Sequence, residues 1–194
     1  MNTPEARDTQ PRTEQAESAQ PSGKQSPQSA LRLDFHSDPV ALTAALVDIA
    51  SPSHHEDTIA DAIEMALIDV QKQAAVDIEV QRYNNTVCAK TNAGFDTRVV
   101  LAGHVDTVPI ADNVPHSIAH DAAGQLVMHG CGTTDMKSGL AVYLHVFAQL
   151  VHHGNLSCDL TMIAYEGEEV ATQYNGLYHL QRDHPEWLSG DFAL

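Results

Sequence analysis

Three short apolar runs in this chain break off into glycine, histidine and acidic residues, and this arrangement constrains the fold more than any other feature. Val99-Val100-Leu101-Ala102 runs into Gly103-His104-Val105-Asp106. Leu126-Val127-Met128 precedes a glycine-rich loop, residues 130–135, and residues 160–165 run straight into Glu166-Gly167-Glu168-Glu169. Such lengths suit buried strands. A long helix is predicted from about Met136 to His153, between the second and third runs. Strands alternating with helices imply an α/β layered fold, with a largely parallel or mixed sheet flanked by helices. Ligands of such sheets bind beyond the carboxyl ends of the strands. His104, Asp106, Asp135, Glu168 and Glu169 all fall just after a strand or in the loop leading from one to a helix.

The chain before these runs is patterned as well. Ser37-Asp38-Pro39 offers a capping side chain and a proline for a first helical turn. Val40, Leu42, Leu46, Val47 and Ile49 then form an apolar stripe that ends at Ser51-Pro52. A second helix is predicted from about residue 56 to 70, with Ile59, Ile63, Leu67 and Val70 on one face. Two β-type runs, 76–80 and 86–91, flank the turn signal Tyr83-Asn84-Asn85. Residues 1–30 differ: they hold four prolines and five glutamines but no Val, Ile, Leu, Phe, Tyr or Trp. They cannot bury enough apolar surface to offset ordering entropy and are expected to form a disordered extension, with residues 31–194 as the folded part. Arg7, Arg12 and Lys24 nearly balance Glu5, Asp8, Glu14 and Glu17, so almost all of the net charge of −16 belongs to the folded part.

That charge, from 10 Lys+Arg against 26 Asp+Glu, argues against nucleic acid and against an anionic membrane surface as partners, since both need clustered cations. No apolar run approaches the roughly 20 residues that span a bilayer, and the N-terminus lacks the apolar segment of a signal peptide. Cys88, Cys131 and Cys158 are odd in number and unpaired in spacing, so a reducing cytoplasm is the expected compartment.

The residues at the strand ends can be read in two ways each. His104 and Asp106 sit two apart on an extended segment and point the same way. His104 could bind a metal while Asp106 holds the other ring nitrogen. Asp135 suits a metal, but Asp at the start of a long helix is also a favoured N-cap. Glu168-Glu169 could divide metal binding and proton transfer between them, or could be a solvated acidic loop.

Taken in order, Gly103-His104-Val105-Asp106-Thr107-Val108-Pro109, Gly130-Cys131-Gly132-Thr133-Thr134-Asp135-Met136-Lys137-Ser138-Gly139 and Tyr165-Glu166-Gly167-Glu168-Glu169 resemble the three signatures of the dinuclear zinc aminoacylase/carboxypeptidase metallohydrolase family. The resemblance extends from about Leu42 to the C-terminus. It implies two divalent metal ions, zinc or alternatively cobalt, with His104 on one, Asp135 bridging both and Glu169 on the other. Glu168 would be the general base and Asp106 would orient His104. The implied substrate is a small-molecule N-acyl amino acid. Residues 131–139, Asp112-Asn113-Val114-Pro115 and Asp191-Phe192-Ala193-Leu194 are most similar to the branch of the family that hydrolyses N-succinyl-LL-2,6-diaminopimelate to succinate and LL-2,6-diaminopimelate. Acetylornithine deacetylases, and other amidohydrolases or carboxypeptidases of the family, are the alternative.

Members of the family carry two further ligands, an acid after the next strand and a histidine near the C-terminus, and a smaller inserted domain that closes over substrate and forms the homodimer. Here Asp191-Phe192-Ala193-Leu194 resembles the beginning of that next strand. Asp183, Glu186 and Asp191 are the acids that follow Glu169, while His179 and His184 fall in a predicted helix and at its end. The resemblance therefore implies the N-terminal part of a catalytic domain without the lid and dimerisation domain, and little activity of this chain alone. A non-catalytic remnant that binds metal or a partner chain is the reading from another class. His54-His55 are expected to face solvent, His152-His153 to sit at a helix C-terminus, and Cys131 to be a small buried residue.

Overall fold

The computed structural model describes Met1 and residues 32–194; beyond Met1, the expected N-terminal extension lies outside the described residues. Helix α1 (Pro39–Asp48) begins at Asp38, whose carboxylate accepts hydrogen bonds from the amides of Val40 and Ala41. Leu42, Leu46, Val47 and Ile49 are buried, but Val40, at the outer end of the predicted stripe, is exposed. Helix α2 (Asp57–Gln73) buries Ile59, Ile63, Leu67 and Val70 as their spacing predicts. Strands β1 (Ile78–Tyr83) and β2 (Thr86–Thr91) form an antiparallel hairpin across Asn84-Asn85. Asn84 takes the left-handed conformation (φ 53°) that such a two-residue turn requires.

Strand β3 (Arg98–His104) is followed by β4 (Ser117–His120), β5 (Leu126–His129), helix α3 (Lys137–His153) and strand β6 (Asp159–Tyr165). Helix α4 (Gly176–Asp183) and strand β7 (Phe192–Ala193) complete the chain. The main sheet has five strands in the order β1-β2-β6-β3-β7. It is mixed: β2 runs antiparallel to both of its neighbours, β1 and β6, while β6, β3 and β7 run parallel. Along each strand the side chains alternate between two cores. Val87, Ala89, Leu101, Leu160, Met162 and Ala164 pack against α1, α2 and α3, whereas Cys88, Val100 and Ile163 pack against Leu180 and Trp187. The result is helices on both faces of one sheet.

The run 126–128 departs from expectation. It forms β5, which pairs with β4 in a separate two-stranded sheet and stands largely exposed. Only four residues long and with Leu126 facing solvent, it has no second apolar face to bury in the main sheet. The segment 191–194 does begin a strand: β7 lies parallel beside β3, with Phe192 opposite Val99, and the Asp191 carboxylate accepts from the Arg98 amide at 2.9 Å. Asp191 thus lies at the end of β3 opposite to His104.

Parallel pairing of β3 with β6 fixes where the chemistry collects. His104 is level with Tyr165, and one further bond, Val105 N to Tyr165 O at 2.8 Å, carries the ladder past the strand ends. The residues after both strands therefore leave from one edge, where α3 also begins. Gly103 allows the close approach of α3: a Cβ there would lie 3.0 Å from Met136 Cε and 3.2 Å from Leu140 Cδ1.

Candidate metal centre

His104 is the fixed point of the site. It is 3% exposed, and its Nδ1 donates to the backbone carbonyl of Asp106 at 3.0 Å. This contact leaves Nε2 as the nitrogen that faces outward, 3.1 Å from Asp135 Oδ1. The Asp106 carboxylate is farther from the ring, 3.5 Å from Nδ1. It is fully buried and accepts from Ser53 Oγ at 2.8 Å, the Glu168 amide at 3.0 Å and the Glu169 amide at 3.1 Å. One carboxylate thus ties the first strand-end motif to the third.

Asp135 does not cap α3. Met136 occupies the N-cap position, with no side-chain cap bond, while the Asp135 carboxylate turns to His104. The loop that carries it is closed by Thr133 Oγ1 to Gly130 O and Lys137 N to Gly132 O, both 2.8 Å. Gly132, at φ 85°, supplies the left-handed turn. Glu168 and Glu169 are neither buried nor a free acidic loop, because Asp106 fixes both backbone amides. A carboxylate oxygen of Glu168 lies 4.0 Å from His104 Nε2.

The charges at the site favour a cation. Burial and then the negative charge of Asp135 hold the Glu169 carboxyl above its ordinary range. Burial works against ionisation of Asp106, but hydrogen bonds from His104, the Glu168 amide and Ser53 prevail and hold it down to about 2. Burial likewise disfavours the His104 imidazolium, yet the bonds to Asp106 and Asp135 push its pKa up to about 9. Tyr165, raised to about 12 by burial and by Glu168, Asp106 and Asp135, stays a neutral phenol.

Of the residues singled out by sequence, His104, Asp135 and Glu169 come together: one ligand atom from each lies within 4.8 Å of the others. An imidazole nitrogen with two carboxylates is a donor set that fits a divalent cation such as zinc. Asp106 and Glu168 adjoin them. His179 and His184 fall on α4 and at its C-cap, as expected, and neither belongs to this group. His54 and His55 are exposed, and His152 and His153 lie exposed in the last turn of α3. Cys131 is a buried residue with its Sγ 3.7 Å from Val108 O. Sequence reasoning missed Ser53, which only tertiary contact brings to Asp106. It also missed Lys137, whose signal was available: a lysine in phase with the apolar stripe Leu140, Leu144, Phe147.

The profile of Peptidase family M20/M25/M40 matches residues 100–190, the stretch that holds all three motifs. Over 162 residues the chain is 55% identical to a succinyl-diaminopimelate desuccinylase of Corynebacterium glutamicum, covering 84% of this chain and 42% of that protein. The fold is similar to that of the M20 family metallo-carboxypeptidase Sso-CP2 from Sulfolobus solfataricus, with a TM-score of 0.60 at 18% identity, over 81% of this chain and 37% of that one. A tripeptidase from Staphylococcus aureus gives 0.56 at 20% identity, over 80% and 41%. The chain therefore spans about two fifths of the length of these proteins. Motifs, profile, sequence identity and fold agree, and residues 100–190 of the chain match Peptidase family M20/M25/M40.

Proposed function

We propose that this chain carries the metal-binding and proton-transfer residues of an amide hydrolase that converts N-succinyl-LL-2,6-diaminopimelate and water to succinate and LL-2,6-diaminopimelate. The observation that carries this reading is the convergence of His104, Asp135 and Glu169 within 4.8 Å, with the Glu168 carboxylate 4.0 Å from His104. His104 Nε2 and Glu169 would hold one ion each and Asp135 would bridge them. Two divalent ions, zinc or alternatively cobalt, would lower the pKa of a shared water towards about 7 and polarise the amide carbonyl. Glu168, exposed and adjacent, takes a proton from the attacking water. It returns that proton to the nitrogen as the carbon–nitrogen bond breaks. Asp106 keeps both halves in register. The buried carbonyl contact on His104 Nδ1 leaves Nε2 as the nitrogen that would hold an ion.

The choice of substrate rests on the 55% identity to the Corynebacterium glutamicum desuccinylase. In this reading residues 31–194 form the N-terminal part of a catalytic domain, and the remaining ligands and the substrate-closing domain belong to the whole protein. The free cysteines Cys88, Cys131 and Cys158 fit a reducing cytoplasm, and among the described residues no helix is long and apolar enough to cross a membrane. The test is hydrolysis of N-succinyl-LL-2,6-diaminopimelate and of N-acetylornithine, side by side, by zinc-loaded protein. It uses both this chain and a longer polypeptide of the relative's length that contains it. We expect the longer protein to cleave the succinyl substrate and the 194-residue chain to show little turnover. Cleavage of acetylornithine alone would contradict the assignment.

A further inference from the structure

Lys137 is 1% exposed although it is a lysine, and it lies on the buried face of α3 with Leu140, Ala141 and Leu144. A buried ammonium needs compensating partners, and these are backbone carbonyls rather than carboxylates. Its Nζ donates to Leu46 O at 3.0 Å and to Ile49 O at 2.7 Å, at the C-terminal end of α1, where the helix dipole favours a cation. The Lys137 amide closes the loop on Gly132 O at 2.8 Å. The Lys137 stem packs so tightly on Gly132 that a Cβ there would lie 3.1 Å from Lys137 Cδ. Asp135 sits between these two fastened points, with a side chain 75% exposed, so its position is set by the loop ends rather than by packing around its carboxylate. The same end of α1 continues into Ser51-Pro52-Ser53. There Ser51 Oγ donates to Val105 O at 2.7 Å and Ser53 Oγ to Asp106 Oδ2 at 2.8 Å. A single anchor is thus bonded to both the His104 segment and the Asp135 loop.

We propose that Lys137 is a positioning residue that holds Asp135 at ligating distance from His104 by pinning loop 132–137 to the C-terminal end of α1. The inference rests on the metal-centre reading above. Its test is zinc binding by calorimetry on this chain, with circular dichroism to confirm folding. Wild type, K137M, K137R, D135N and the double variant D135N/K137M are compared. The zinc affinity that depends on Asp135 is expected to fall about 10-fold in K137M, the usual size of an outer-shell effect. It should return to near wild type in K137R, whose guanidinium can donate to the same two carbonyls. In the D135N background K137M should have no further effect on zinc, because Lys137 acts through Asp135. A merely structural lysine would lower the melting temperature of K137M and leave the zinc affinity of folded protein unchanged, and that result overturns the proposal. If K137M does not fold, K137Q is measured in its place under the same criteria. A wild-type chain that binds no zinc in an Asp135-dependent manner removes the metal-centre reading and this proposal together. Equal binding by wild type and the Lys137 variant removes the proposal alone.

Discussion

His104 and Asp106, with side chains 4% and 0% exposed, belong to the protein interior, whereas Asp135 and Glu168, at 75% and 44%, face solvent within 3.1 and 4.0 Å of the same imidazole. The inner pair is held by many partners. The Asp106 carboxylate alone gathers Ser53 and the amides of Glu168 and Glu169. The outer pair is held through its backbone, by the loop closed on Gly132 and by Asp106 itself. The contrast separates two environments: the inner residues are part of what keeps the chain folded, and the outer ones are carried by that framework with their carboxylates left exposed.

The contrast can be broken by substitution. In the active, metal-loaded protein, E168Q should lower kcat about 1,000-fold, within the range for loss of a general base, with unfolding by urea almost unchanged; a large loss of stability would place Glu168 with the inner pair. D106A should do the reverse in the metal-free chain. It strands a hydroxyl and two amides and should cost roughly 2–4 kcal/mol in urea denaturation. S53A removes one of those partners, and about 1 kcal/mol is expected. D135N, on the exposed side, should stay within about 0.5 kcal/mol of wild type.

Acidity sharpens the same comparison. The Asp106 carboxyl is depressed to about 2 in the folded protein, so its contribution to stability is complete above the ordinary value near 3.9 and disappears as pH falls through 2. The His104 pKa is raised to about 9, so its contribution is complete below about 6.5 and disappears as pH rises through 9. Chelator-treated protein should therefore be more stable to urea at pH 5–6 than at either extreme. Equal stability at pH 6 and 9.5 would contradict the His104 arrangement.

Much of this was legible in the sequence because local pattern and tertiary structure agree. The cap at Asp38, the stripe in α2, the Asn84-Asn85 turn and the strands ending at His104 and Tyr165 all follow from period and turn chemistry. The run 126–128 was not legible as an outlying hairpin, since apolar content alone does not tell which sheet a four-residue strand joins. Spacing alone does not show which way Asp135 turns: in three dimensions Met136 takes the N-cap position of α3 and the Asp135 carboxylate lies against His104. Nor does spacing show that the Asp106 side chain would serve the amides of Glu168 and Glu169, more than 60 residues away in the chain. Chain connectivity carries no trace of that bond.

The central claim is that the strand ends assemble a metal centre, and anomalous X-ray scattering at the zinc absorption edge, from crystals grown with zinc, tests it most directly. The account predicts an anomalous peak bounded by His104 Nε2, Asp135 and Glu169, absent in D135N crystals grown the same way. A peak only at the exposed histidines of α3, or none at the end of β3, would contradict it.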